Sequence, residues 1–173
     1  TGNDNIANGD YALGNNTTGI NNVAIGKSSL HENVQGNGNV ACGFNTMKYN
    51  SNGSFNTIYG TEAWHYNNGD GSNNNAFGHR ALTYMTSGSG NCGFGEEANP
   101  TTTTGWNNIG IGFHTLGNIG GGSYILGNQI GYDNIAFGLV AGDRIGNNCN
   151  QSAFIGPFSN VITLSSSASK NLL

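Results

Sequence analysis

The chain reads as all-β, a parallel β-solenoid of about ten coils with a repeat of about 17 residues. Three observations lead there: a five-residue motif that returns at near-constant spacing, a composition of 30 Gly and 31 Asn in 173 residues, and only 14 charged side chains (five Lys and Arg, nine Asp and Glu). Gly and Asn disfavour helix and favour turns, so short strands joined by tight loops are the expected elements.

The motif is Asn, three residues, then Gly. It closes at Gly9, Gly26, Gly43, Gly60, Gly78, Gly95, Gly112, Gly127, Gly138 and Gly156, with spacings of 17, 17, 17, 18, 17, 17, 15, 11 and 18. Residues 1–157 therefore form one repeat domain, and residues 158–173 a C-terminal strand, tail or linker. Each motif is expected to be a strand. A second short strand is expected after each glycine, as at Tyr11-Ala-Leu13, Ser28-Ser-Leu30, Glu62-Ala-Trp64 and Arg80-Ala-Leu82, followed by loops such as Asn15-Asn-Thr-Thr-Gly19. Such a unit buries almost nothing alone, so coils must stack, with backbone pairing between neighbours about 4.8 Å apart.

Each slot of the strand has its own chemistry. The residue before the closing glycine is Ile25, Cys42, Tyr59, Phe77, Phe94, Ile111, Leu126, Phe137 and Ile155, a row expected to form the buried core. Two residues earlier, Ile6, Val23, Val40, Ile109 and Ile135 share its face, because strand side chains alternate. Between them, Ala7, Ala24, Ala41, Ala76, Gly93, Gly110 and Ala136 point the opposite way. With apolar residues on both faces, both faces need a cover. One is the coil interior. A neighbouring subunit in a parallel homotrimer, packed on the Ala and Gly row, fits the other, and so does the second strand of a single wide coil.

The first motif position holds Asn5, Asn22, Asn39, Asn56, Asn74, Asn91, Asn108, Ser123, Asn134 and Ser152, a column expected to form a side-chain hydrogen-bond ladder. The closing glycine is expected to permit a conformation or close approach that a Cβ would forbid.

The runs Asn21-Asn-Val-Ala-Ile-Gly-Lys-Ser-Ser-Leu30 and Asn73-Asn-Asn-Ala-Phe-Gly-His-Arg-Ala-Leu82 resemble the head repeats of trimeric autotransporter adhesins and related repeats of phage and algal-virus tail fibres. The resemblance covers Thr1 to about Pro157. It implies an obligate parallel homotrimer of left-handed β-rolls, exposed outside a cell or on a virion surface and used for attachment. The repeat is longer than that of the adhesin heads and closer to the viral and phage version. Val161 to Leu173 lacks the heptads of a coiled-coil stalk.

Other classes are disfavoured. Five basic residues in a chain of net charge −4 cannot line a phosphate backbone, and no apolar run is long enough for a membrane helix, so neither nucleic acid nor membrane insertion is expected. No nucleophile, base and orienting group recur together, so neither an enzyme nor a cofactor is expected. His31 and His65 read as exposed variable positions, Glu96 and Glu97 as a solvated pair, Cys42 and Cys92 as buried small hydrophobes. Trp64, His65, Tyr66, Tyr84 and Trp106 are candidate ligand-contact aromatics for a host-surface glycan, and Asn15, Asn16, Asn52 and Asn150 head glycosylation sequons.

The leading expectation is an extracellular structural or attachment fibre module whose partners are copies of itself and a host-surface glycan. The alternative is a filament subunit that polymerises by end-to-end stacking of coils. An ice-binding surface comes third, because it needs a flat Thr array and the Thr residues here lie mainly in loops.

Overall fold

A computed structural model describes residues 2–66, 70–99, 104–117, 131–142 and 150–157. Its elements are nine three-residue strands: β1 (Ile6–Asn8), β2 (Val23–Ile25), β3 (Val40–Cys42), β4 (Thr57–Tyr59), β5 (Asn75–Phe77), β6 (Cys92–Phe94), β7 (Ile109–Ile111), β8 (Ile135–Phe137) and β9 (Ala153–Ile155). They pair in parallel and in chain order as one sheet, one strand per coil, which is the expected β-solenoid. Register follows the motif: Val23 faces Val40, Ala24 faces Ala41 and Ile25 faces Cys42. The backbone ladder runs the height of the stack, with the Val23 N–H donating to Asn39 C=O and the Gly26 N–H to Asn8 C=O, both at 2.8 Å.

Between Gly112 and Gly138 the coil count departs from expectation. β7 pairs directly with β8, Ile109 facing Ile135, so the two irregular spacings of 15 and 11 residues make up a single 26-residue coil. Eleven residues cannot complete a circuit that takes 17 elsewhere. Ser123 and Leu126, expected to supply a rung of their own, lie outside the described residues, as does the segment 158–173.

Among the described residues, no second strand follows the glycine. The residues two and four after it adopt left-handed backbone instead, as at Ser28 (φ 56°) and Leu30 (φ 49°), or Glu62 (φ 54°) and Trp64 (φ 46°). The N–H groups of this turn point in different directions, that of Ser29 bonding Gly26 C=O within the coil. Ser28 accordingly donates to Asp10 C=O in the coil before, and Leu30 to Thr46 C=O in the coil after. These inter-coil bonds hold a conformation that costs a non-glycine residue roughly 1–2 kcal/mol. The closing glycine meets a different constraint. At Gly26 φ is +119°, and a Cβ there would lie 2.5 Å from the Gly43 carbonyl oxygen, so close stacking requires its absence.

The two faces of the sheet are exchanged relative to the expected core. Ala24, Ala41, Ile58, Ala76 and Ala136 are wholly buried, whereas Ile25, Tyr59, Phe94, Ile111, Phe137 and Ile155 are exposed on the outer face, Ile25 by 42% and Ile155 by 61%. Cys42 and Phe77, in the same row, are half-buried. The reason is the narrow lumen. Large side chains enter it from the turn, where Leu30, Met47, Trp64, Leu82 and Leu116 are buried, and most of the strand residues that share the lumen with them are small, Ile58 and Phe154 being the large ones. At Phe154 a smaller turn residue makes room. Phe154 replaces the usual Ala, and Gly142 stands where most other coils have Leu, Met or Trp; a Cβ on Gly142 would lie 3.0 Å from Phe154 Cδ2.

Candidate functional site

Three side-chain ladders run along the stack. In the inner one, each motif Asn offers its Oδ1 to the backbone and amide of the next coil. Asn56 N–H and Nδ2 both donate to Asn39 Oδ1 at 3.0 Å, and Asn74 N–H and Nδ2 donate to Asn56 Oδ1 at 2.9 and 3.1 Å. The same Nδ2 groups also reach the loop glycine three residues before the next motif Asn: Asn22 to Gly36 C=O, Asn39 to Gly53 C=O, Asn56 to Gly71 C=O. The ladder therefore joins coil to coil and ties the start of each coil to the loop that closes it. Asn108 hands on to Asn134 and Asn134 to the Ser152 N–H, in agreement with the long coil between them.

A second ladder was hidden in the loops. Asn33 Nδ2 donates to Asn16 Oδ1 at 2.8 Å and Asn50 Nδ2 to Asn33 Oδ1 at 3.1 Å, and each also bonds the glycine three residues on. The repeated Asn-x-x-Gly at Asn16, Asn33 and Asn50 is the signal that could have revealed it. Asn16 is thus a structural residue despite heading a sequon. Asn150, another sequon residue, is half-buried and accepts the Tyr132 N–H, whereas Asn15 and Asn52 are exposed and bond Glu32 and Asp70. A third, outer ladder runs the opposite way: Ile20 N–H to Asn37 Oδ1, Asn37 N–H to Ser54 Oγ, and Ser54 N–H to Ser72 Oγ.

Apart from Asn8, Thr57 and Asn75, the outer sheet face is apolar. Eight steps of about 4.8 Å make it roughly 38 Å tall, and its two rows from Ile6 to Ile155 contain no charged residue. At mid-height Tyr59, Phe77 and Phe94 stack nearly parallel, with centroids 5.0 and 4.7 Å apart. Phe44, Phe113 and Leu139, exposed in the column just past the closing glycines, share it with Asp10, Lys27, His79 and Glu96. Cys42 and Cys92 stand half-buried in these rows and not in the core, and burial pushes the Cys92 thiol up from its ordinary value.

The candidate aromatics do not converge. Trp64 is fully buried and its Nε1–H donates to Met85 C=O at 2.8 Å, so it belongs to the core. His65 is buried as well, with Nδ1 3.1 Å from Asn45 C=O. Tyr66 and Tyr84 stack at 5.2 Å on one edge of the coil, and Trp106 stacks on Tyr132 at 4.6 Å at a different place in the repeat. Each of these stacks covers one face of each ring, and Tyr66 and Trp106 remain exposed.

The charged residues also form a ladder. Arg80 Nη1 lies 2.9 Å from Glu97 Oε1 and Nε 4.0 Å from Glu62; His114 Nε2 lies 2.7 Å from Glu97 Oε2. Glu62, Arg80, Glu97 and His114 hold equivalent positions in four consecutive coils, so in-register stacking sets unlike charges side by side. Glu97 is therefore a half-buried ladder member and not a solvated one, while the more exposed Glu96 meets His79 at 3.4 Å. Among the described residues, no group of three or more His, Cys, Asp or Glu could hold a metal ion, and no helix is long and apolar enough to cross a membrane. No family model, no curated protein and no solved structure matches the chain.

Proposed function

We propose that the chain is a non-enzymatic extracellular fibre module, on a cell or virion surface, that serves as a rigid attachment or spacer segment and assembles as a parallel homotrimer. The observation that carries this reading is the outer sheet face. A solvated face would alternate in polar and charged residues, whereas this one presents Ile25, Tyr59, Phe94, Ile111, Phe137 and Ile155 in an unbroken row. Covering that row with the same row of further copies satisfies all of them at once. The partner's place moves accordingly, from the Ala and Gly row to the Ile and Phe row. The laddered interior supports a mechanical role, because almost every rung is tied to the next by side chain as well as backbone.

Multi-angle light scattering tests the reading. A discrete trimer is expected. A monomer at micromolar concentration overturns it, and an open-ended size distribution favours end-to-end stacking of coils into a filament.

A further inference from the structure

Trp106 ends an aromatic stack and turns one ring face to a nearly empty rung. It stands two residues before the motif Asn, in the column where Asn37, Ser54 and Ser72 form the outer ladder. We infer that this open face binds a neutral pyranose sugar, which takes the rung of the stack that Ser89 leaves free; the inference rests on the reading of the chain as an attachment module and names a ligand class for it.

The ring geometry carries the argument. Tyr132, one coil on, covers one face of the Trp106 indole, with centroids 4.6 Å and planes 9° apart. The opposite face is turned to the preceding coil, where the equivalent residue is Ser89, followed by Gly90. That pair is the smallest that any described coil carries at these two positions. A hydroxymethyl group cannot cover an indole, and Trp106 is 45% exposed. The platform is also fixed in advance. Asp133 N–H donates to Trp106 C=O at 3.1 Å, Asn107 N–H to Ser89 C=O at 3.0 Å and Tyr132 N–H to Asn150 Oδ1 at 3.1 Å, so the rings are held in register without a ligand. A flat apolar ring face of this kind matches the C–H face of a pyranose.

Polar groups stand on the same side. Asn107 Oδ1 lies so close over Gly90 that a Cβ there would collide with it, which places this amide oxygen toward the open rung. Asn107 Nδ2 is held by Asp133 Oδ1 at 3.1 Å, so the oxygen is the group Asn107 has left to accept a hydrogen bond. Ser89 Oγ already accepts the Ser72 N–H at 3.2 Å and keeps its proton to donate. One donor and one acceptor beside an apolar ring suit sugar hydroxyls, which both give and take.

Charge narrows the class. The two residues before each motif Asn or Ser include no Lys, Arg or His, and their charged members are Asp4 and Asp133. An acidic sugar would meet the Asp133 carboxylate with no cation to balance it. An ammonium ligand is held best by several ring faces around it, and here one face is open.

The test is titration of the full chain with cellohexaose, mannohexaose and N-acetylchitohexaose as neutral probes, oligogalacturonate as the acidic one and choline as the cationic one. Trp64 is buried and Trp106 exposed, so a saturable change in tryptophan emission reports contact at Trp106, and calorimetry gives the affinities. Saturable binding of at least one neutral probe, tighter than oligogalacturonate and choline, is expected. Trp106→Ala should weaken it about tenfold or more and Trp106→Phe less. Ser89→Tyr, which fills the open rung with a ring, should weaken it by a similar factor. Trp106 lies outside the core, so its variants should melt and assemble as the parent does. No binding of any neutral probe, equal or tighter binding of oligogalacturonate or choline, or unchanged affinity in Trp106→Ala overturns the inference. An assembled trimer that ignores the neutral probes would sink this inference alone, whereas a monomer would sink the assembly reading.

Discussion

Asn56 offers the sharpest test of the ladder. Its side chain is fully buried, donates to Asn39 Oδ1 and Gly71 C=O, and accepts from Asn74 N–H and Nδ2. In Asn56→Ala, Asn39 Oδ1 keeps the backbone N–H of residue 56, and Asn74 Nδ2 keeps Gly88 C=O. Two groups are left without these partners, the Gly71 carbonyl and the Asn74 N–H. At about 1–3 kcal/mol for each buried unsatisfied group, the cost is about 4 kcal/mol. Asn56→Asp should be at least as damaging at neutral pH, because a buried carboxylate would face two oxygens that can only accept. Its sign with pH is diagnostic. Burial raises the folded-state pKa of that carboxyl above its unfolded value near 3.9, so the variant loses stability as pH rises and should regain part of it between pH 7 and pH 4. Denaturant titration of parent and variants at both pH values measures this. A loss under 1 kcal/mol in Asn56→Ala, or an Asp variant insensitive to pH, would refute the reasoning.

Other positions test other parts of the account. Gly26→Ala places a Cβ against the Gly43 carbonyl at positive φ and should cost about 3 kcal/mol or more in the same assay. Trp64→Ala empties the lumen and orphans the Met85 carbonyl, with an expected loss of about 3–5 kcal/mol; in the parent, iodide should quench the exposed Trp106 and leave Trp64 unquenched. Phe94→Glu puts a charge at the centre of the outer face, and light scattering should then report dissociated protomers with an unchanged β-sheet circular dichroism spectrum.

Much of the fold is legible from the repeat itself, because the Asn of Asn22 and the Gly of Gly26 return in every regular coil and the Ala24 position is small in most of them, each with one physical use: ladder, close stacking and lumen. The inside and outside of the strand were not legible. Period-two alternation separates the Ile25 row from the Ala24 row but does not say which one faces the lumen. Size preference for the core points to Ile and Phe, yet the deciding quantity is lumen width, set by Leu30, Met47 and Trp64 arriving from the turn. That arrival depends on left-handed backbone at non-glycine residues, which their side chains do not advertise. The loop ladder of Asn16, Asn33 and Asn50 was masked for a related reason: Asn in a Gly- and Thr-rich loop is usual as a turn former. Among the candidate aromatics, Trp64 and Tyr66 are two residues apart, and only the coil path reveals that one fills the lumen while the other meets solvent.

One measurement reaches the centre of the account, the pairing of each coil with the next one about seventeen residues on. Through-hydrogen-bond NMR couplings in the isotopically labelled chain report which carbonyl each amide contacts. The account predicts couplings from the Val23 amide to the Asn39 carbonyl, from Val40 to Asn56, from Cys92 to Asn108, and across the long coil from Ile109 to Asn134. Couplings in an antiparallel order, or from Ile109 to a carbonyl between residues 118 and 130, would contradict it.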